Sequence, residues 1–263
     1  MLQTTAESLG VLLDIDGVLH VGYEPIPGSV ETLAELRERT AGVRLVTNTT
    51  SKPAREIADG LREAGFELDD AELVTPARIA LRHCRERGHD AVMLLVPASL
   101  HEDLEGLRDA GPNEPVDAVV LGDLGAGFTE DVLNTAFRAL LDGAELIALQ
   151  HNRYWRSAEG LVLDVGAWSA ALEYAADVEA AVVGKPSRAF FEDALGGIGV
   201  DAASAVMVGD DVEADIGGAL DAGIQAVLVR TGKYREDAVR ASGVEPTATI
   251  DSIADLPELL GWR

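Results

Sequence analysis

Apolar runs alternate with amphipathic segments near the start of the chain, and this pattern predicts strands that alternate with helices. Residues 9–13 form an apolar run with the aliphatic content of a buried strand. Ser29 precedes apolar residues at helical spacing, residues 43–46 form a second short strand, and Ser51 with Pro53 begins a further helix. A strand–helix–strand–helix order predicts a parallel sheet that helices cover on both faces.

The middle of the chain, about residues 78–179, has predicted strands and helices of its own and is expected to form a separate α/β unit. The last part returns to the opening pattern. Three strands are expected there, at residues 181–183, 205–208 and 225–229. The predicted fold is therefore α/β: a doubly wound, Rossmann-like parallel-sheet core from residues 1–77 and 180–263, with an inserted α/β cap domain at 78–179.

Polar side chains follow four of the predicted strands. They are Asp14 and Asp16, Thr47 and Asn48, Lys185, and Asp210 with Asp211. Because the carboxyl ends of parallel strands border the ligand crevice of an open sheet, these groups are expected to face one pocket. Clustered carboxylates repel one another unless they bind a cation, and an all-oxygen ligand set favours Mg²⁺. Taken alone, the Asp14–Gly17 stretch fits a solvated turn equally well.

Composition excludes several classes of partner. The chain of 263 residues has a formal charge of −25, which opposes binding to nucleic acids and to anionic membranes. No window approaches the ~18 apolar residues of a membrane span, and no signal peptide is expected. The single cysteine, Cys84, cannot form an internal disulfide. A cytoplasmic protein that contacts neither nucleic acid nor membrane is therefore expected.

The cations are almost all arginine. Of 21 basic residues only three are lysines, at positions 52, 185 and 233. An acidic surface poor in lysine suits a salt-rich cytoplasm, where ions screen its self-repulsion, so a halophilic protein is predicted. A GC-rich genome would also favour arginine. In either case each lysine is more informative than usual.

The four motifs, in this order and with an insertion between the second and third, resemble the haloacid dehalogenase (HAD) superfamily. The resemblance is to its type IIA, NagD-like branch, which carries a C2 cap after the second motif. Several segments resemble the group that contains the phospholysine phosphohistidine inorganic pyrophosphate phosphatases: Tyr154 and residues 163–166, 171–175, 183–186, 207–211 and 230–234. The resemblance implies a phosphatase that acts on a small phosphorylated substrate, and a homodimer through the cap is a further expectation.

The resemblance also implies roles for the polar residues. Asp14 is expected to be the nucleophile and a Mg²⁺ ligand. Asp16 is expected to be the general acid and base, with its backbone carbonyl on the metal, and Asp210 to be a direct metal ligand. Asp215, ranked slightly ahead of Asp211, is expected to assist the metal. The alternative for Asp211 and Asp215 is a favourable charge in the first turn of a helix.

Thr47, Asn48 and Lys185 are expected to bind the phosphate. The alternatives are a Thr-Asn turn that caps the next helix and, for Lys185, an ordinary surface lysine. In the cap, residues 151–154 either contact the substrate or form a polar surface turn. Gly217 and Gly218 are interpreted as sites of close helix packing.

Three functions remain open at this level. The first is a Mg²⁺-dependent phosphatase that works through an aspartyl-phosphate intermediate. The second is a phosphate-binding regulatory or interaction protein with little turnover, which the presence of both Asp14 and Asp16 disfavours. The third is a phospho-acceptor signalling domain, which would be shorter and would carry its aspartate on a middle strand.

Overall fold

The computed structural model of the protein describes residues 6–111, 114–157 and 160–262. Within these ranges the strands, in chain order, are β1 (Gly10–Asp14), β2 (His20–Val21), β3 (Glu24–Pro25), β4 (Gly42–Val46), β5 (Leu73–Val74), β6 (Ala91–Leu95), β7 (Arg108–Asp109), β8 (Ala118–Leu121), β9 (Glu145–Ala148), β10 (Tyr154–Ser157), β11 (Gly160–Leu163), β12 (Ala181–Val182), β13 (Ala205–Gly209), β14 (Gln225–Val229) and β15 (Ala248–Ile250). The α-helices are α1 (Ser29–Arg39), α2 (Ala54–Glu63), α3 (Pro76–Arg87), α4 (Glu130–Leu141), α5 (Val165–Ala176), α6 (Arg188–Gly196), α7 (Gly218–Asp221), α8 (Glu236–Ser242) and α9 (Leu256–Leu259). None of the helices in the described ranges is long and apolar enough to cross a membrane.

The chain forms two compact units. The first contains the residues up to Thr47, residues 54–74, and the chain from Lys185 onward. The second contains residues 48–53 and 75–184. Each unit has its own parallel sheet. The use of the second unit as a cap, within the boundaries expected from the sequence, stays a prediction.

The first unit has a six-stranded sheet in the order β15-β14-β13-β1-β4-β5, with every pair parallel. Numbered along the chain, this is the doubly wound order 3-2-1-4-5-6, so the predicted fold class is confirmed. Strands β1 and β13 are buried along their whole length, as expected for central strands covered on both faces. The strand order reverses between β1 and β13, where ligands bind in folds of this class.

Side chains that alternate along the central strands pack into two layers. Val11 and Leu13 of β1 join one core cluster with the apolar faces of α1 and α2. Leu12 is also fully buried but is not in that cluster, so it points to the opposite face of the sheet. Helix α6, whose Phe190 and Phe191 are buried, contacts β1. The sheet is therefore covered on both faces along β1 and β13.

The second unit has a five-stranded parallel sheet in the order β12-β9-β8-β6-β7, and α4 and α5 pack on its core. Two features differ from the sequence-based expectation. Strand β12 pairs with β9 here and does not return to the first sheet. Strands β10 and β11 form an antiparallel hairpin where only a polar and aromatic cluster was predicted.

Candidate active site

The first functional side chains lie on either side of the point where the strand order reverses. Asp14 is the last residue of β1, and Asp210 follows β13 directly. Because Leu13 is in register with Val208, these two carboxylates leave neighbouring strands at nearly the same level. Both side chains are buried, with Asp14 at 7% and Asp210 at 2% exposure.

Asp215 joins this pair because the chain after β13 forms a π-helical turn, Val212–Gly217. π-helical turns are rare and occur frequently at functional sites. Gly209 makes room for Asp215, since a Cβ atom on Gly209 would lie 2.3 Å from the Asp215 Cβ. The neighbouring Asp211 has a different place: its carboxylate accepts hydrogen bonds from the backbone N–H groups of Glu213 and Ala214 at 3.1 and 3.0 Å.

Lys185 bridges two of the buried carboxylates. Its Nζ donates to Asp14 Oδ1 at 2.6 Å and to Asp215 Oδ1 at 2.6 Å. Burial alone would lower the pKa of Lys185, but the two carboxylates outweigh it and the pKa is raised. The surface-lysine alternative does not fit this placement, because Lys185 is only 3% exposed.

Asp210 is held on one oxygen. Its Oδ2 accepts a hydrogen bond from the backbone N–H of Lys233 at 2.7 Å, whereas its buried Oδ1 has no hydrogen-bond partner among the described residues. Burial and the nearby charges of Asp14 and Asp215 raise the pKa of Asp210 to about 7. Burial also raises the pKa of Asp215, to about 6, against the opposing charge of Lys185.

These residues fit a divalent cation. Within the described residues, Asp14, Asp210 and Asp215 each offer a carboxylate oxygen, and these atoms lie within 4.8 Å of one another. The three carboxylates outnumber the ammonium groups of Lys185, which contacts two of them, and of Lys233, which acts on them from beside Asp211, so the cluster retains negative charge when all are ionised. A buried acceptor without a partner is costly and calls for a ligand, and oxygen donors are the set that Mg²⁺ and Ca²⁺ prefer.

Asp16 lies outside this buried group. Its side chain is 61% exposed and its Oδ1 is 3.6 Å from Nδ1 of His20, a distance too long for a hydrogen bond. His20 is buried and stacks on Tyr23, with ring centroids 4.9 Å apart. Burial lowers the pKa of His20, against the effect of the Asp16 charge. Asp16 is therefore open to solvent, unlike the buried carboxylates of Asp14, Asp210 and Asp215.

The two expected phosphate-binding residues after β4 are divided between the units. Thr47 belongs to the first unit, is buried, and its N–H donates to the carbonyl of Val74 at 3.2 Å. Asn48 belongs to the second unit, where its Oδ1 would be 2.9 Å from a Cβ atom on Gly184. Their role in phosphate binding stays a prediction.

The polar stretch at 151–154 lies in the second unit. His151 Nε2 is 3.3 Å from Glu173 Oε2, and the N–H of Asn152 donates to the side chain of Gln150. Tyr154 is the first residue of β10 and is exposed. A role for this stretch in substrate binding stays a prediction.

Sequence reasoning noted residues 230–234 only as part of a family resemblance and gave the loop after β14 no role in the first-unit site. The hydroxyl of Thr231 donates to the carbonyl of Gly17, and the N–H of Lys233 holds Asp210. Two signals could have identified this loop. It follows a strand of the same sheet as β1 and β13, and it contains one of only three lysines.

Comparison with known proteins identifies the family of this chain. A family model described as haloacid dehalogenase-like hydrolase matches residues 11–108, and a HAD-hydrolase-like family model matches residues 182–256. Haloacid dehalogenase-like hydrolase domain-containing protein 2 from Homo sapiens is 41% identical over 242 residues, 92% of each chain. The phospholysine phosphohistidine inorganic pyrophosphate phosphatase of Rattus norvegicus is 40% identical over 257 residues, which cover 95% of this chain and 93% of the relative.

A solved structure shows the same fold. The p-nitrophenyl phosphatase from Archaeoglobus fulgidus superposes with a TM-score of 0.89 at 27% identity, over 96% of this chain and 99% of that one. The range that the first family model matches contains Asp14, and the range that the second matches contains Lys185 and Asp210. The chain therefore belongs to the haloacid dehalogenase-like hydrolase family and is a phosphohydrolase of that family.

Proposed function

We propose that this protein is a Mg²⁺-dependent phosphatase that hydrolyses a small phosphorylated metabolite through an aspartyl-phosphate intermediate. One observation carries the proposal: Lys185 bridges Asp14 and Asp215 beside Oδ1 of Asp210, which has no hydrogen-bond partner in the part of the chain that the structure describes. This arrangement supplies a nucleophile, a fixed positive charge and the ligands for a cation within one buried cluster.

The first step transfers the phosphoryl group to Asp14. A carboxylate oxygen of Asp14 attacks phosphorus, and the bond from phosphorus to the leaving oxygen breaks. Asp16 gives its proton to that oxygen as the alcohol, or the corresponding group, departs. Lys185, which lies 2.6 Å from Asp14, offsets the repulsion between this carboxylate and the incoming phosphate.

The second step releases inorganic phosphate. Asp16, now ionised, takes a proton from water, whose oxygen attacks phosphorus. The bond between phosphorus and Asp14 breaks, which restores the Asp14 carboxylate. The exposure of the Asp16 side chain supports this role, because the group must exchange its proton in every turnover.

The residues that would hold Mg²⁺ are Asp14, the backbone carbonyl of Asp16 and Asp210. Asp215 is the better placed of the two assisting candidates, because it lies within the buried cluster while Asp211 caps the following turn. When bound, Mg²⁺ would supply positive charge that stabilises the transferring phosphoryl group.

The names of the relatives supply the first substrates to test. We propose phosphate esters, inorganic pyrophosphate and phosphoamides as the candidate classes, because one relative is named for phospholysine, phosphohistidine and pyrophosphate and one structural neighbour for p-nitrophenyl phosphate. Thr47, Asn48 and Lys185 are the proposed phosphate ligands.

The test measures phosphate release from such a panel, with Mg²⁺ or with EDTA, in molar KCl. Release should require the metal. We expect Asp14→Asn to lower kcat at least roughly 1,000-fold, because the amide is a poor nucleophile. The matched control is Asp237→Asn, which makes the same charge change at a side chain that is 84% exposed.

Two results would contradict the proposal. Release that persists in Asp14→Asn would remove the aspartyl-phosphate route. A folded wild-type protein that binds Mg²⁺ but releases no phosphate from any substrate would favour the phosphate-binding regulatory alternative.

A further inference from the structure

The loop that follows β14 contacts two separate parts of the candidate site. The Thr231 hydroxyl donates to the backbone carbonyl of Gly17, next to Asp16. Two residues later, the Lys233 N–H donates to Asp210 Oδ2 at 2.7 Å. We call residues 231–233 the clamp loop. It joins the first motif of the chain to the last, across 214 positions of sequence between Gly17 and Thr231.

Close backbone packing makes this contact specific. Gly17 and Gly232 both have positive φ, at +86° and +62°. A Cβ atom on either glycine would lie 2.0 Å from Asp210 Oδ2. On Gly232, such an atom would also lie 2.6 Å from the Cα of Gly17. Both positions therefore need glycine, because the Asp210 carboxylate lies directly against the two backbones.

The clamp loop binds one oxygen of Asp210 and leaves the other to bind a ligand. With Oδ2 engaged by the Lys233 N–H, the carboxylate cannot rotate without losing a short hydrogen bond. Its Oδ1 is left buried and without a protein partner among the described residues. Residues that orient a metal ligand through a hydrogen bond typically change metal affinity about 10–100-fold when they are removed.

We propose that the clamp loop is a positioning element for the cation. Its bonds to Gly17 and Asp210 hold the backbone after β1 and the free Oδ1 of Asp210 at the spacing that the cation needs. The inference rests on the proposed function, because it presumes that Asp210 binds Mg²⁺. It assigns Thr231 and Gly232 an effect on metal affinity that sequence motifs do not assign to them.

The test compares Mg²⁺ binding by isothermal titration calorimetry in molar KCl across five proteins. They are the wild type, Thr231→Val, Thr231→Ser, Gly232→Ala and Gly243→Ala. Thr231→Val keeps the shape of the side chain but removes the hydroxyl donor, and Thr231→Ser restores it. Gly243 is the matched control for Gly232, because its φ is +69° and a Cβ atom there meets nothing within 4 Å.

We expect Thr231→Val to weaken Mg²⁺ binding at least roughly tenfold, and Thr231→Ser to stay within about threefold of the wild type. Gly232→Ala should weaken binding further than Gly243→Ala, although both place alanine at positive φ. With p-nitrophenyl phosphate, Thr231→Val should need at least roughly tenfold more Mg²⁺ than the wild type to reach half of its own maximal rate, because its site binds the metal more weakly.

Separate outcomes overturn the inference and the proposed function. If folded Thr231→Val, verified by circular dichroism, binds Mg²⁺ within about twofold of the wild type, the clamp loop does not position the cation. A Gly232→Ala variant that matches Gly243→Ala in Mg²⁺ affinity leads to the same conclusion. If the wild type itself binds no Mg²⁺, the metal assignment of the proposed function fails instead.

Discussion

Asp210 is buried, lies near other carboxylates, and has one oxygen without a hydrogen-bond partner among the described residues. Its ionised form therefore lowers the stability of the folded protein. Its side chain is 2% exposed, and its raised pKa means that the folded protein favours the protonated form. A carboxyl group with a raised pKa in the folded state destabilises the fold as pH rises from its unfolded-state pKa toward the folded one. Without metal, this cost is largest above about pH 7 and is absent below the ordinary value of 3.8.

We predict that Asp210→Asn stabilises the metal-free protein. The asparagine oxygen can accept the Lys233 N–H, and its NH₂ group can donate to the neighbouring carboxylates. In EDTA at pH 8 the free energy of unfolding should rise by about 1–3 kcal/mol, and the gain should shrink toward about pH 5. Urea unfolding followed by circular dichroism measures both values.

With added Mg²⁺ the wild type should become more stable than Asp210→Asn, because the metal stabilises only the protein that binds it. Asp237→Asn, at an exposed position, should change the stability by less than about 0.5 kcal/mol in either condition. An Asp210→Asn variant that is less stable than the wild type in EDTA at pH 8 would show that Oδ1 has a favourable partner in solution.

At the scale of elements, the turn after β13 can pack against the end of that strand only because the last strand residue, Gly209, has no side chain. Gly209 lets the buried Asp215 pack against the strand end, and Asp215 is itself fixed by Lys185 and by the N–H of Asp211 at 3.1 Å. A side chain on Gly209 would therefore displace Asp215 at the expense of these contacts.

We predict that Gly209→Ala lowers the free energy of unfolding by about 1–3 kcal/mol, since overpacking a buried site forces its neighbours out of place. It should also reduce Mg²⁺ affinity, because Asp215 moves. The control is Gly196→Ala, at the end of α6, where a Cβ atom meets nothing within 4 Å. Equal stability of the two variants would mean that the turn after β13 adjusts freely.

The strands of the first sheet could be predicted because their residues form uninterrupted apolar runs. The end of β1 is an example. This strand has five buried residues, the last of which is Asp14, and the sequence alone indicates both the strand and its functional end. The grouping of Asp14 with Lys185, which are 171 positions apart in the sequence, was predicted from the rule that the carboxyl ends of parallel strands border one crevice.

Other elements could not be predicted because short apolar runs do not specify their partners. Ala181–Val182 has the composition of a buried strand, but pairing with β9 depends on tertiary structure that the run does not encode. Similarly, Asp211 and Asp215 differ only by one helical turn in the sequence. The π-helical geometry of that turn, which places Asp215 beside Lys185, appears only in the folded chain.

For the whole molecule, the formal charge of −25 makes electrostatic repulsion a general property of the folded state. We predict that the urea midpoint rises steadily between about 0.1 M and 2 M KCl, because the screening length falls from about 10 Å to below about 3 Å over this range. Sucrose at matched osmolality is the control for non-ionic effects. A urea midpoint that is equal at the lowest and the highest KCl concentration would contradict the prediction of a halophilic protein.

Salt should also favour self-association, because two copies with this charge repel each other at low salt and screening weakens the repulsion. The β10–β11 hairpin presents Leu161, Leu163 and Tyr154 on one face, with 62%, 58% and 55% exposure. An open strand edge can pair with another chain, and a contiguous exposed apolar patch marks an interaction site. A second copy of the chain suits this hairpin, because a twofold axis lets the same face meet itself.

We therefore predict a homodimer through the hairpin of the second unit, measured by light scattering after size exclusion in molar KCl. Replacing both Leu161 and Leu163 by Gln should raise the dimer dissociation constant at least roughly tenfold, because two apolar side chains lose their buried contacts. Leu141→Gln is the matched control, since Leu141 is 60% exposed on α4 of the same unit. A wild type that is monomeric at every concentration contradicts the prediction, whereas a dimer that resists the double variant must form through another surface.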